Sequence, residues 1–174
     1  RTMDAALVPR PDDTPATIRF TSGTTGSPKG VTLSHRNSAS NAASVVEYLG
    51  LTATDSVVSV LPFYYAYGNS VLSTHLAAGG RVVLEPNMVF PHAVVETIAR
   101  ERVSGFSGVP STFALLLSRV DLGRHDLSSL RYVTQAGGPM TVALTQLLLS
   151  AIPNARLFVM YGQTEATSRL TWLP

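Results

Sequence analysis

The sequence predicts an α/β fold: a mainly parallel sheet with flanking helices. Short β-branched runs such as "SVVSVL" (56–61) and "RVVLE" (81–85) alternate with single helical stretches. Strand–helix–strand units of this kind cross over right-handed and give parallel strands. Charged residues are only 14% of the 174 positions and hydrophobic ones 45%, against roughly 25% charged in an average soluble domain. That imbalance fits strands buried on both faces, or a piece whose covering neighbours lie elsewhere in a longer chain.

Pro9, Pro11, Pro15, Asp12 and Asp13 make residues 1–15 an irregular lead-in, and the folded part is expected over 16–174. Ala16–Thr21 reads as a strand and Gly30–Leu33 as a short extended piece. Ser34 is placed to cap a helix from His35 to about Leu49, which Gly50 ends. Ser56–Leu61 is a strand stopped by Pro62, followed by a helix over Asn69–Ala78 that Gly79–Gly80 terminate. Arg81–Glu85 is the next strand, and Pro91 suits the first position of a helix running to about Arg102. Gly105–Val109 is a brief strand. Ser111–Val120 is a helix with an apolar face at Phe113, Leu116, Leu117 and Val120. The strand Arg131–Thr134, the helix Thr141–Ser150 and the strand Arg156–Met160 complete the series.

Composition removes several functions. The net charge is +2, with no basic cluster interleaved with aromatics, so nucleic-acid binding has no support. There is no cysteine, hence no disulfide, thiol nucleophile or thiolate metal site. His35, His75, His92 and His125 are scattered without metal-ligand spacing and read as helix or loop residues. Residues 56–80 and 132–155 lack Asp, Glu, Lys and Arg, but prolines and paired glycines interrupt both, so they read as buried strand–loop–helix units and not as membrane spans. No signal peptide opens the chain, and a cytoplasmic location is expected.

In such sheets ligands collect outside the carboxyl ends of the strands, so the loops there carry the chemistry. "TSGTTGSPKG" (21–30) holds the only lysine of the chain. It is not a Walker A loop, because Gly26 precedes Lys29 by three positions. Gly23, Gly26 and Gly30 nevertheless free backbone N–H groups to turn toward an anion. Thr21, Ser22, Thr24, Thr25 and Ser27 add hydroxyls, and Lys29 adds a mobile charge suited to phosphate oxygens. Taken alone, a Gly/Ser/Thr loop is more often a polar linker; here Ile18–Phe20 and Val31–Leu33 pin it at both ends. "QAGGPM" (135–140) follows a strand and precedes a helix, with two glycines that leave bare backbone for a flat ring. "YGQTE" (161–165) follows "RLFVM" in the same way.

These loops, in this order, resemble the signatures of the adenylate-forming superfamily: acyl-CoA synthetases, acyl-AMP ligases, adenylation domains of peptide synthetases, and luciferases. The resemblance runs from about Ala16 to the end. It implies an α/β fold belonging to the large N-terminal domain of such enzymes, and an ATP site for making acyl-adenylates. By this resemblance Thr21, Ser22, Gly23, Thr24, Thr25, Gly26 and Lys29 hold the β- and γ-phosphates. Ala136, Gly137, Gly138, Tyr161, Gly162 and Gln163 form the adenine side, and Thr164 meets the α-phosphate. Glu165, with Thr21 nearby, is implied to hold Mg²⁺, and Lys29, Thr164 and Glu165 carry the catalytic roles.

"LPFYYAYG" (61–68) resembles the segment lining the acyl pocket, with Tyr64, Tyr65, Gly68 and, from "GVPSTF", Val109 on its wall. Tyr65 stands where many relatives carry histidine. Ala66 stands where peptide-synthetase domains place an aspartate for the substrate's α-amino group, so an aryl or aliphatic acid is expected instead of an α-amino acid. The implied partners are a small carboxylic acid and a thiol acceptor, either coenzyme A or the phosphopantetheine of an acyl carrier protein. The family's ribose-binding aspartate, hinge and mobile C-terminal domain are not found in these 174 residues. The piece is therefore expected to be inactive alone. Two other readings stay open: an unrelated nucleotide-binding domain with a similar loop, and a non-catalytic adenylation-like module.

Overall fold

The computed structural model describes residues 11–21, 26–85 and 88–173. Two sheets form. Strands β1 (Pro15–Thr21) and β2 (Lys29–Ser34) make an antiparallel hairpin with Thr21 opposite Lys29. Strands β3 (Ser56–Ser59), β4 (Arg81–Leu84), β5 (Gly105–Gly108), β6 (Tyr132–Gln135), β7 (Arg156–Gly162) and β8 (Arg169–Leu173) make a six-stranded sheet ordered β4-β3-β5-β6-β7-β8. The first five are parallel and β8 runs antiparallel to β7. The mainly parallel α/β sheet is thus present as expected. The sequence reading did not anticipate β8, and it did not anticipate that the lysine loop joins two strands of a hairpin.

Five α-helices flank the sheet: α1 (His35–Leu49), α2 (Ala66–Ala77), α3 (Pro91–Glu101), α4 (Pro110–Arg119) and α5 (Val142–Ala151). Helix α1 keeps its expected bounds because both ends are chemically marked. Ser34 accepts from the Asn37 N–H while the Asn37 side chain caps Ser34 in return, and Gly50 closes the helix in the left-handed conformation at φ 59°. Helix α2 begins at Ala66, three residues before the expected start, so Tyr67 and Gly68 are helical.

Side chains leave the central strands alternately to the two faces. Val133, Leu157 and Val159 meet α3, α4 and α5 in one apolar cluster. Tyr132, Phe158 and Met160 meet α1 and the aromatic residues Tyr67 and Trp172 in the other. Burial on both sides is what suppresses charge in these strands. At the amino ends of β3, β5 and β6, the buried Asp55 carboxylate accepts from Ser104 Oγ (2.7 Å), Arg131 Nη2 (2.9 Å) and the Thr52 N–H (2.9 Å). Burial pushes the Asp55 carboxyl up. The bonds from Ser104, Arg131 and Thr52 outweigh that and hold it below its ordinary value.

The hairpin inverts the usual pattern. Ile18 and Phe20 are 60% and 75% exposed, whereas Arg19 points inward and is half-buried. The apolar residues expected to anchor the loop at Ile18–Phe20 therefore face away from the domain. Docking instead uses buried Leu33, the Arg19 side chain, and α1, whose first N–H groups donate to the Thr14 and Asp12 carbonyls at 3.1 and 2.8 Å.

Candidate active site

Strand order sets the location. From β3 the chain steps outward to β4 and then crosses back to β5 on the other side, so the direction of winding reverses between β3 and β5. Open α/β sheets bind ligands in the crevice at such a reversal, outside the carboxyl ends of the strands. A cavity of about 370 Å³ lies there. Its walls come from the ends of four parallel strands: Leu61 and Pro62 after β3, Val109 after β5, Ala136 and Gly137 after β6, and Gly162–Thr164 after β7. Tyr65 and Gly68, at the start of α2, close another side.

Eight residues singled out from sequence thus converge on one space: Ala136, Gly137, Gly162, Gln163, Thr164, Tyr65, Gly68 and Val109. Gly137 is left-handed at φ +85°, and a Cβ there would come within 3.1 Å of Val109 Cγ1. The turn therefore presents bare backbone to the cavity, as a flat ring requires. Gln135 pins this turn by donating from Nε2 to the Gly138 carbonyl at 2.7 Å. Gly162 has a different constraint, because a Cβ there would run into the Ser168 carbonyl.

Other expected residues lie outside the cavity lining. Tyr161 is 62% exposed on β7, and Tyr64 is 75% exposed with its ring 4.5 Å from that of Tyr65. Gly138 sits beside the lining at the same turn. Thr21 and Lys29 face each other at the open end of the hairpin, and Gly26 bends the loop between them at φ +96°. Ser22, Gly23, Thr24 and Thr25 lie outside the described residues. Glu165 is exposed on a short 3-10 turn (Thr164–Ala166) that packs against β2, the strand beginning with Lys29. Among the described residues neither Lys29 nor Glu165 forms an ion pair. No group of three or more His, Asp or Glu is gathered there either.

Two important side chains, Arg19 and Arg169, escaped the sequence reading, whereas Tyr67 belongs to the tyrosine segment it assigned to the acyl pocket. Arg19 Nη1 donates to the Thr167 carbonyl at 2.8 Å and Nη2 to Asn69 Oδ1 at 2.5 Å, fastening the lysine hairpin to the Thr164–Glu165 turn and to α2. Thr167 has φ +72°, a strained value for a β-branched residue, at the spot Arg19 clamps. Tyr67 donates or accepts at Thr134 Oγ1 (2.7 Å), which in turn meets Ser107 Oγ (2.8 Å). Burial pushes the Tyr67 phenol up to about 12, so it stays protonated. Arg169 on β8 is 5% exposed and lines the cavity. The apolar and β-branched residues of "RLTWL" were the available signal, but an isolated strand after a motif is hard to see without its partner.

His75, by contrast, is buried at 1% exposure, with its ring nitrogens bonded to the Val71 carbonyl (2.7 Å) and Tyr132 OH (2.5 Å). Burial lowers its pKa and keeps it a neutral helix residue, as its isolation in the sequence predicted.

A family model described as AMP-binding enzyme matches residues 3–174. The chain is 37% identical over 169 residues to 4-coumarate--CoA ligase 2 of Oryza sativa subsp. japonica, covering 94% of this chain and 29% of that protein. It is 36% identical over 157 residues to the mitochondrial medium-chain acyl-CoA ligase ACSF2 of Macaca fascicularis, covering 87% of this chain and 25% of the relative. Among solved structures it resembles O-succinylbenzoate coenzyme A synthetase (MenE) from Bacillus subtilis in complex with AMP. That likeness has a TM-score of 0.81 and 31% identity, and covers 94% of this chain and 33% of the other. The same enzyme in complex with ATP and magnesium ion matches equally, with a TM-score of 0.81. The chain thus spans less than a third of the curated relatives it matches.

Proposed function

Since the chain belongs to the AMP-binding enzyme family, we propose that it forms the ATP-holding core of the large domain of an AMP-forming acid–thiol ligase. Residues 16–174 are the partial AMP-binding domain in this reading, with residues 1–15 leading in. The observation that carries it is the single cavity joining Ala136–Gly137, Gly162–Thr164, Tyr65, Gly68 and Val109 at the reversal of the sheet.

Adenine lies against the bare turn at Ala136–Gly138, beside Tyr161. The α-phosphate sits at Thr164, and the β- and γ-phosphates lie under the loop from Thr21 through Ser22, Gly23, Thr24, Thr25 and Gly26 to Lys29. The acid enters along Tyr64, Tyr65, Gly68 and Val109, and its carboxylate oxygen attacks the α-phosphorus as the bond to pyrophosphate breaks. A thiol of coenzyme A or of a carrier protein's phosphopantetheine then takes the acyl group and releases AMP. Catalysis in such a displacement is mostly positioning and neutralisation of charge. Lys29, in no ion pair among the described residues and at the mouth of its hairpin, is placed to face the departing pyrophosphate.

Glu165 fits a magnesium ion by the chemistry of its donor set. An exposed carboxylate on the turn packed against β2 matches a hard cation that takes one or two carboxylates and completes its shell with phosphate oxygens and water. When bound, the ion would offset triphosphate charge. Among the described residues no helix is long and apolar enough to cross a membrane; a cytoplasmic location goes with the proposed use of ATP and coenzyme A.

The test is a panel of aryl and aliphatic acids given to the full-length protein. Pyrophosphate release is scored first, and then thioester formation with coenzyme A or a carrier protein. Acid-dependent pyrophosphate release is the expected outcome; its absence across the panel refutes the proposal. The 174-residue chain by itself should show no useful ATP–pyrophosphate exchange.

A further inference from the structure

Among the described residues Arg169 is the one charged residue lining the cavity, and only 5% of its surface is exposed. Its Nε donates to Ser70 Oγ at 3.0 Å and its Nη2 to Thr74 Oγ1 at 3.2 Å, while the guanidinium carbon lies 5.7 Å from the centroid of the Tyr67 ring. Every one of these partners is neutral. Among the described residues no carboxylate pairs with it.

An uncompensated buried charge is costly, so a guanidinium held this way needs a counter-charge. The Tyr48 phenol, also neutral, is a further hydrogen-bonding neighbour of the guanidinium. The side-chain atoms that are both unpartnered and fully shielded are Thr17 Oγ1 and Gln135 Oε1. Arg169 Nη1 is not among them, and the open space that Arg169 borders is the cavity.

Ser70 and Thr74 belong to the second and third turns of α2, whereas Tyr65 and Ala66 precede or begin its first. At 1.5 Å per residue the guanidinium is held about 6–12 Å along the helix from Ala66. The reacting carboxylate belongs at Thr164, where the nucleotide is attacked. With the reacting carboxylate at Thr164, a guanidinium fixed on Ser70 and Thr74 is available to a second acid group of the substrate, and its planar fork of N–H donors matches a carboxylate.

We propose that Arg169 selects a dicarboxylic acid, binding the carboxylate that does not react while its partner carboxylate is adenylated. This rests on the ligase reading above and narrows it from aryl or aliphatic acids in general to those carrying a second acid group. Tyr67 and the two α2 hydroxyls hold the guanidinium in place for that contact.

The experiment is ATP–pyrophosphate exchange by the full-length protein, given dicarboxylic acids of graded length and, for each, the monocarboxylic acid of equal chain length. Wild type should favour the best dicarboxylate over its partner by about 100-fold in kcat/KM, since a site built to bond a polar group strongly rejects the analogue lacking it. Arg169→Met should collapse that ratio to within about threefold, and Arg169→Lys should recover part of it. The wild-type ratio reads the assignment without any variant, so a poorly folding Arg169→Met leaves it testable. A wild-type preference for monocarboxylates overturns the assignment while leaving the ligase reading intact. Equal losses on both acids in folded Arg169→Met do the same. No exchange with any acid, from protein with a normal melting transition, overturns the ligase reading and this assignment together.

Discussion

Arg19→Met tests how the lysine hairpin is held to the rest of the site. A two-stranded hairpin is barely stable alone, so it depends on what it packs against. Its apolar residues Ile18 and Phe20 face away, which leaves Arg19 as a main tie across to Thr167 and Asn69. Hydrogen bonds from a charged group each contribute about 1.5–3 kcal/mol, and half-exposure of Arg19 favours the low end. Two bonds at that end give about 3 kcal/mol, which raises the opening equilibrium of the hairpin about 100-fold. Hydrogen exchange read by mass spectrometry on full-length protein should show peptides from residues 15–34 exchanging faster by that order. Peptides from β6 and β7 should keep their protection. Thr167, freed of its clamp at φ +72°, should exchange faster as well. Unchanged protection in the hairpin refutes the reasoning, and so does equal acceleration throughout the sheet, which would mark a global loss of stability. Arg19→Lys, able to reach one acceptor at a time, should fall between the two.

The remaining predictions concern charge, close approach and pH. Lys29→Ala should slow adenylate formation about 100-fold by removing charge opposite the departing pyrophosphate, with little change in melting temperature because Lys29 pairs with nothing in the described residues; unchanged adenylation kinetics would sink its role. Gly162→Ala forces a methyl into the Ser168 carbonyl and should cost on the order of 2 kcal/mol, seen as a clear drop in melting temperature. A melting curve identical to wild type would mean the turn yields freely. The Asp55 carboxyl has a folded pKa below its unfolded one, so its contribution is present above the ordinary carboxylate range and is lost as pH falls through the folded value. Denaturant unfolding should therefore show Asp55→Asn less stable than wild type at pH 7, with the gap closing toward pH 3. A gap independent of pH would assign the loss to packing.

Local chemistry explains which parts of this fold were legible from sequence. Helix α1 carried its own boundary marks in Ser34 and Gly50, and the central strands advertised burial on both faces through their lack of charge. The turns at Gly137 and Gly162 were readable because glycine there answers a backbone need that no other residue meets. The start of α2 was misplaced because Gly68 and the tyrosines before it argue against helix locally, whereas packing over the cavity decides the matter. Arg19 and Arg169 were invisible for a related reason. Their roles come from partners 50, 148, 99 and 95 residues away in sequence, which no local pattern encodes. Strand β8 had no helix before it to announce a crossover, so its pairing with β7 had no local sign.

That pairing carries one more consequence. Tyr161 faces Thr171 and Gly162 faces Arg169, so Leu170 is an extra residue bulged out of register. Side chains alternate along a strand, and the bulge decides which parity Arg169 inherits. With one residue more or fewer between Gly162 and Arg169, Ser168 or Leu170 respectively would take the place opposite Gly162 and the guanidinium would turn to the other face. Changes of two residues would preserve it. Loop length here acts as an odd–even rule on the chemistry of the cavity: proteins built on this scaffold can vary the connection in steps of two and keep a cation inside, while a single insertion would exchange it for a hydroxyl and a single deletion for an apolar wall.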